Sequence, residues 1–474
     1  MTTNYFPKDF LWGAATSAYQ VEGAADTHGK KKSIADVLTE QSQVFADSSV
    51  SVDHYHRYEE DVRLMAELGL NSYRFSINWS RIFPDGSGEV NQEGVDFYNH
   101  LIDALVKYNI EPIATIYHFD LPLALHERYG GWQSREVLND FIAYCKFVYT
   151  AFGDRVKYWL TINEQSVILQ YSLKKNLIDP STPNAEQIKY QINHHLHLAH
   201  AHAVNIGHEL VKGSMIGPAL GYNPIYPLDS HPDNVIAAMN AQDLRNQMFL
   251  DVYCKGEYTK SAWNYLERNG LAPKVEPEDW ALLKSAKSDY LAINYYMSNT
   301  AKAPAPDAVR VSGATNLLGK KGHFKYQIEP GFFEMTKNPN VETTEWDWEI
   351  DPVGLRFALR DIYTRYNLPM MITENGIGLY DKVEEDGSIN DDDRIDYLRK
   401  HLQQCNLALQ DGVELLGYYP WSFIDLLSTS NGFAKRYGFV HVNRDDNDVK
   451  DLKRTPKKSF GWYKRVIESG GAEL

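Results

Sequence analysis

The sequence predicts an α/β fold, a single (β/α)8 TIM-type barrel with extended βα-loops, spanning residues 1–474 as one domain. Three observations carry this. Eight short β-rich runs alternate with amphipathic stretches, the order expected of a parallel sheet wrapped by helices. Several runs are almost continuously apolar, as strands covered on both faces must be. No Pro/Ser-rich linker lies near the middle and no GxGxxG follows a strand, which argues against two doubly wound domains.

In chain order the predicted strands are Leu11–Ala15, Ser72–Ile77, Pro112–His118, Tyr158–Asn163, Ser214–Ala219, Tyr290–Tyr295, Met370–Thr373 and Leu415–Trp421. Helical spacing predicts Tyr55–Leu68, Gly94–Tyr108, Ser134–Phe152 and Pro352–Tyr366 between them. Two insertions interrupt the alternation. Residues Asn299 to Asp351 are rich in Gly, Pro and aromatics, and Asp381–Asp393 reads as a solvated acidic turn without EF-hand spacing.

Composition narrows the function classes. Hydrophobic residues make up 43% and charged residues 23%, both within the globular range. The 48 basic residues against 63 acidic ones give −15, which disfavours nucleic acid and anionic lipid as partners. Cys145, Cys254 and Cys405 are too few and too scattered for a disulfide framework or a CxxC metal site. The N-terminus lacks a basic leader with an apolar core, and no run of 18 apolar residues occurs, so a cytoplasmic protein without membrane spans is expected. Asn78-Trp79-Ser80 is then a chance sequon.

Catalytic groups of a parallel barrel gather where strands end. Those positions hold Arg74, His118, Asn163 with Glu164, Asn294, Glu374 with Asn375, and Trp421. Glu164 and Glu374 each follow an apolar run, in TINE and ITEN. Two carboxyl groups at one mouth, one protonated and one ionised, are what glycoside hydrolysis requires. Each glutamate taken alone also fits a solvated strand cap.

The segments QVEG (20–23), YRFSINWSRIFP (73–84), HFDLP (118–122), TINE (161–164), INYY (293–296), ITENG (372–376) and the run Trp421–Gly438 resemble glycoside hydrolase family 1, in order and across essentially the whole chain. The resemblance implies a retaining glycosidase without a cofactor or metal, with Glu164 as acid/base and Glu374 as nucleophile ~5–5.5 Å apart. It implies that Gln20, His118, Asn163, Asn294 and Trp421 hold the sugar, and that Arg74 and Tyr296 support the nucleophile.

The resemblance also bears on the substrate. In WSFIDLLSTSNGFAKRYG, Ser428 occupies the position where family members acting on plain glucosides carry a glutamate for O4 and O6. Ser428, Lys435 and Tyr437 supply three donors and no acid, a coherent site for a 6-phosphate. The same trio marks the family's 6-phospho-β-glycosidases. Thr429, where the phosphogalactosidase branch typically has tryptophan, points to 6-phospho-β-glucosides such as cellobiose 6′-phosphate or aryl glucoside phosphates. A 6-phospho-β-galactosidase or dual-specificity enzyme is the alternative, and a non-catalytic sugar-binding barrel is the alternative from another class. Gln165 replaces the family's usual proline, as in the phospho-specific branch. A homo-oligomer is compatible with the sequence.

Two features compete for attention. His194, His195, His197, His200 and His202 look metal-like, but no HExxH or carboxylate ligand accompanies them, so a structural helix is expected. Trp346 and Trp348 fit either the leaving-group side of the mouth or plain packing.

Overall fold

Eight parallel strands form the central sheet of the computed structural model, which describes residues 4–42 and 46–474. They are β1 (Leu11–Trp12), β2 (Ser72–Ser76), β3 (Glu111–Tyr117), β4 (Tyr158–Asn163), β5 (Met215–Gly221), β6 (Leu291–Asn294), β7 (Met370–Asn375) and β8 (Leu415–Pro420). Every neighbouring pair from β2 through β8 to β1 is parallel. Ala15 closes the ring, bridging Arg74 on one side and Trp421 on the other. Across that seam the Arg74 N–H donates to the Ala14 carbonyl at 3.0 Å, and the Thr16 N–H donates to the Arg74 carbonyl at 3.0 Å. The first strand is therefore shorter than predicted, and Ala15 pairs only through two isolated bridges.

Burial explains the apolar runs. All residues of β2 and β7 are buried, because the barrel interior covers one face and helices cover the other. Side chains alternate along β2: Arg74 points inward, while Tyr73 and Phe75 form a stacked pair on the outer face, 6.0 Å between centroids. The outer layer includes His54–Leu68, Gln92–Lys107, Val137–Phe152, Ala185–Leu210 and Pro352–Tyr366. The first of these stops at Gly69, whose φ of 89° is left-handed and glycine-favouring.

Two details differ from the sequence reading. A second sheet joins the long insertion to an earlier strand: Ile225–Pro227, Asn299–Lys302, Phe333–Thr336 and Ile328–Glu329, in that spatial order. The acidic turn is solvated only in its middle. Asp381 pairs with Lys457 and Arg394, and Asp391 pairs with Arg394 and accepts from the Ser459 N–H at 2.8 Å, so both ends are fastened into the barrel.

Candidate active site

At the C-terminal ends of the strands lies a cavity of about 440 Å3, with Glu164, Glu374, His118, Asn294, Tyr296 and Trp421 in its wall. Arg74 organises its floor. The Arg74 Nη1 donates to Glu374 Oε1 at 2.5 Å, Nη2 to Asn163 Oδ1 at 2.6 Å, and Nε to Thr115 Oγ1 at 3.1 Å. The Tyr296 hydroxyl donates to the other carboxylate oxygen, Glu374 Oε2, at 2.6 Å. Glu374 lies inside β7 rather than after it, because the strand runs on to Asn375 with register shifts against both neighbours beyond Ile372. Gly376 follows directly; a side chain there would meet the Trp421 carbonyl at 2.0 Å, so only glycine lets β7 pass Trp421.

Glu164 is built differently. It immediately follows β4 with a left-handed φ of 47°, a conformation that disfavours non-glycine residues and clusters at functional sites. Its N–H donates to the Ala219 carbonyl at 2.7 Å, which ties the turn to β5. Gly221, at the end of β5, leaves room for the carboxyl; a Cβ there would stand 3.2 Å from Glu164 Oε1.

The environments separate the two acids. Burial, reinforced by the charge of Glu374, pushes Glu164 up to about 7. Burial also raises Glu374, but the Arg74 guanidinium and the Tyr296 hydroxyl oppose that rise by direct contact. Glu164 makes no ion pair among the described residues. The geometry thus favours a proton on Glu164 and a charge on Glu374.

Asn163 links this floor to the wall that holds His118 and Asn294. Its Oδ1 accepts from Arg74 and, at 3.0 Å, from Asn294 Nδ2, while its Nδ2 stands 3.1 Å from His118 Nε2. Burial holds His118 well below the ordinary histidine range, with Arg74 and Lys175 adding to the effect, so it sits there as a neutral ring. It stacks on Trp421 at 6.2 Å and 18°. Gln20 lines the same wall; its Nε2 donates to the Leu427 carbonyl at 2.6 Å, and its Oε1 accepts from Ser17 Oγ at 2.6 Å.

The segment after β8 is fixed by Asp425. That carboxylate accepts from the Gly438 N–H at 3.0 Å, from Lys457 at 2.6 Å and from Arg436 at 3.2 Å. Despite full burial, Lys457 and Arg436 hold it well below the usual carboxylate range. Ser428 and Tyr437 face the cavity from this segment, and Thr429 lies beside them. Lys435 does not line the wall. Its ammonium sits behind it in a cage of rings, 3.7 Å from the Trp348 centroid, 4.6 Å from Trp346 and 5.5 Å from Tyr437. Burial drives the Lys435 amine far below its ordinary pKa. Neither Ser428 Oγ, Lys435 Nζ nor the Tyr437 hydroxyl has a hydrogen bond or ion pair among the described residues.

Most of the remaining candidates fall away from the cavity. His194 bonds Tyr258 and Asp279, His195 the Trp132 carbonyl at 2.9 Å, and His200 Thr161 at 2.8 Å, so these rings serve packing of the Ala185–Leu210 helix. Gln165 is held behind β4 by Asn193 and Tyr253. Of the tryptophan pair, Trp348 lines the cavity and stands edge-on to Tyr296 at 5.4 Å, whereas Trp346 is buried beneath Tyr380. Sequence reading passed over Phe119, Lys175 and Arg245, all in the wall. The Lys174-Lys175 pair shortly after Glu164 was the visible sign of one of them.

The sequence model of glycosyl hydrolase family 1 matches residues 2–472. The chain belongs to glycosyl hydrolase family 1. Among curated relatives, the aryl-phospho-β-D-glucosidase BglC of Bacillus subtilis is 48% identical, covering 99% of this chain and 98% of the relative. The phospho-cellobiase of Klebsiella oxytoca is 40% identical, covering 99% of each. The β-glucosidase A of Acetivibrio thermocellus, at 37%, covers 98% of this chain and 99% of its own length. Among solved structures, the family 1 β-glucosidase of Thermotoga maritima superposes with a TM-score of 0.88 at 33% identity over 100% of both chains. Relatives named for phosphorylated and for plain glucosides thus share this fold, and the choice between them rests on the site.

Proposed function

We propose that the protein is a retaining 6-phospho-β-glucosidase, releasing glucose 6-phosphate from aryl or glycosyl 6-phospho-β-glucosides. The observation that carries this is the group Ser428, Lys435 and Tyr437: three side-chain donors without a partner among the described residues, beside a cavity that holds a buried carboxyl pair. A plain hydroxymethyl group leaves a buried amine unsatisfied. A phosphate brings the charge that Lys435 lacks.

In the reading we favour, Glu374 attacks the anomeric carbon while Glu164 passes its proton to the leaving oxygen, so the aglycone departs neutral. The product of this step is a glycosyl ester on Glu374. Loss of the Glu374 charge removes part of what raised Glu164, so the same group, now ionised, takes a proton from water as water attacks the ester. Glucose 6-phosphate leaves and both acids return to their starting states. Gln20, His118, Asn163 and Asn294 orient hydroxyls, Trp421 offers an apolar face, and Thr429 leaves space near O4. The whole chain acts as one catalytic domain, and a substrate made by phosphorylation during uptake fits a cytoplasmic enzyme.

The test is turnover of p-nitrophenyl β-glucoside 6-phosphate beside the unphosphorylated compound and the galactoside 6-phosphate. A kcat/KM at least about 100-fold higher for the phosphorylated glucoside is expected, the scale of one buried charge pair. Equal rates on phosphorylated and plain glucoside contradict the reading, and preference for the galactoside moves it to the alternative epimer.

A further inference from the structure

The leaving-group side of the cavity carries a second unmatched cation. Lys175 closes the short helix Ser172–Lys175 beyond Glu164, and its Nζ lies 3.8 Å over the Phe119 ring. It faces the same cavity as Glu164. Among the described residues its Nζ has no hydrogen bond and no ion pair. Burial pushes it down to about 8, with the charge of Glu164 as the main opposing influence.

A lysine that merely covers an aromatic ring sends its head to solvent or to an acid. Here the acids of that wall are already engaged. Glu186 pairs with Lys189 at 2.9 Å, and Glu329 takes Arg310 at 2.9 Å and the Tyr265 hydroxyl at 2.8 Å. Arg245, in the same wall, donates only to the amide oxygens of Gln327 at 2.6 Å and Gln170 at 2.8 Å. Away from the catalytic pair, the wall therefore holds Lys174, Lys175, Lys189, Arg245 and Arg310 against two carboxylates, in a chain whose net charge is −15. That local excess of positive charge faces the same cavity as Glu164, whose proton the leaving group receives in the proposed mechanism.

We propose that Lys175 recognises an anionic group on the leaving half of the substrate, so that the enzyme favours 6-phospho-β-glucosides whose aromatic aglycone carries a carboxylate. The inference rests on the phosphoglucosidase reading given above. Lys175, held over the Phe119 ring, supplies a charge-assisted hydrogen bond to that carboxylate. Lys175 is a specificity residue here, and no bond to it is made or broken.

The experiment compares 2-, 3- and 4-carboxyphenyl 6-phospho-β-glucosides with their carbamoylphenyl counterparts, which keep size and lose charge. Each pair is measured with the intact enzyme, with Lys175→Met and with Lys175→Arg. In the intact enzyme at least one carboxylate isomer should exceed its amide in kcat/KM by about five- to tenfold, the scale of one partly desolvated charged hydrogen bond. Lys175→Met should reduce that ratio to within about twofold of unity, and Lys175→Arg should retain most of it. Because each ratio is taken within one enzyme, any effect of Lys175 on Glu164 cancels. Amides hydrolysed well with no carboxylate preference, or a preference that survives in Lys175→Met, overturns the inference and leaves the phosphoglucosidase reading standing. Failure of every phosphorylated substrate overturns that reading instead.

Discussion

Arg74 and Lys435 are both buried basic groups at one barrel mouth, and among the described residues only the first is matched by an acid. Arg74 is enclosed by Glu374, Asn163 and Thr115, each within hydrogen-bond distance. Lys435 has three aromatic rings and no anion. In the mechanism we propose, the difference separates a charge that serves Glu374 as nucleophile from one that is completed by the substrate. A matched pair contributes its Coulomb energy in the resting state, whereas an unmatched amine costs desolvation until its anion arrives.

The comparison breaks hardest at Glu374. Glu374→Gln leaves Arg74 unmatched as well and removes the attacking group, so kcat should fall by about 10^4-fold or more, the scale of losing a covalent nucleophile. Thermal shift by glucose 6-phosphate should persist in that variant, since the phosphate donors are untouched. Loss of the shift together with activity would indicate a folding defect and remove the distinction.

Stability should separate the two cations in sign. Arg74→Met strands Glu374 in the interior and is expected to cost about 3–5 kcal/mol in urea unfolding. Lys435→Met replaces an unpartnered amine by an apolar chain of similar length and is expected to be neutral or stabilising by about 1–2 kcal/mol. Equal destabilisation by both would show that Lys435 is matched in solution by a group of the protein itself.

A smaller effect sharpens the roles of the acids. In the proposed mechanism Glu164 must hold a proton to assist departure, and its pKa is pushed up to about 7 by burial and by Glu374. Activity is therefore full below that value, as long as Glu374 stays ionised, and kcat/KM should fall as pH rises through about 7. Among the charged groups felt by Glu164, Lys175 and Arg74 lower its pKa. Lys175→Met should accordingly move this basic limb to higher pH, and a limb that stays put or moves down would remove that influence.

Much of this was legible in the sequence, for identifiable reasons. The strand ends at Glu164 and Glu374 could be read because each is a charge directly following an apolar run, and the helices could be read from their spacing. The shift within β7 could not, since it depends on how Asn294 and Pro420 align beside it. The second sheet was hidden because its strands have only two to four residues and pair Ile225–Pro227 with a segment far along the chain. Lys435 was visible as a residue type but its cage was not, because Trp346 and Trp348 arrive from the insertion. Lys175 gains meaning only through Phe119 and through acids already paired elsewhere, which local sequence does not encode.

The central claim is that the charge missing around Lys435 belongs to the substrate. Its most direct test is the ratio of kcat/KM for p-nitrophenyl β-glucoside 6-phosphate to that for the plain glucoside, measured in the intact enzyme and in Lys435→Met. The account requires a fall of about 100-fold in that ratio, with the plain glucoside changed by no more than a few-fold. An unchanged ratio, or equal losses on both substrates, would contradict it.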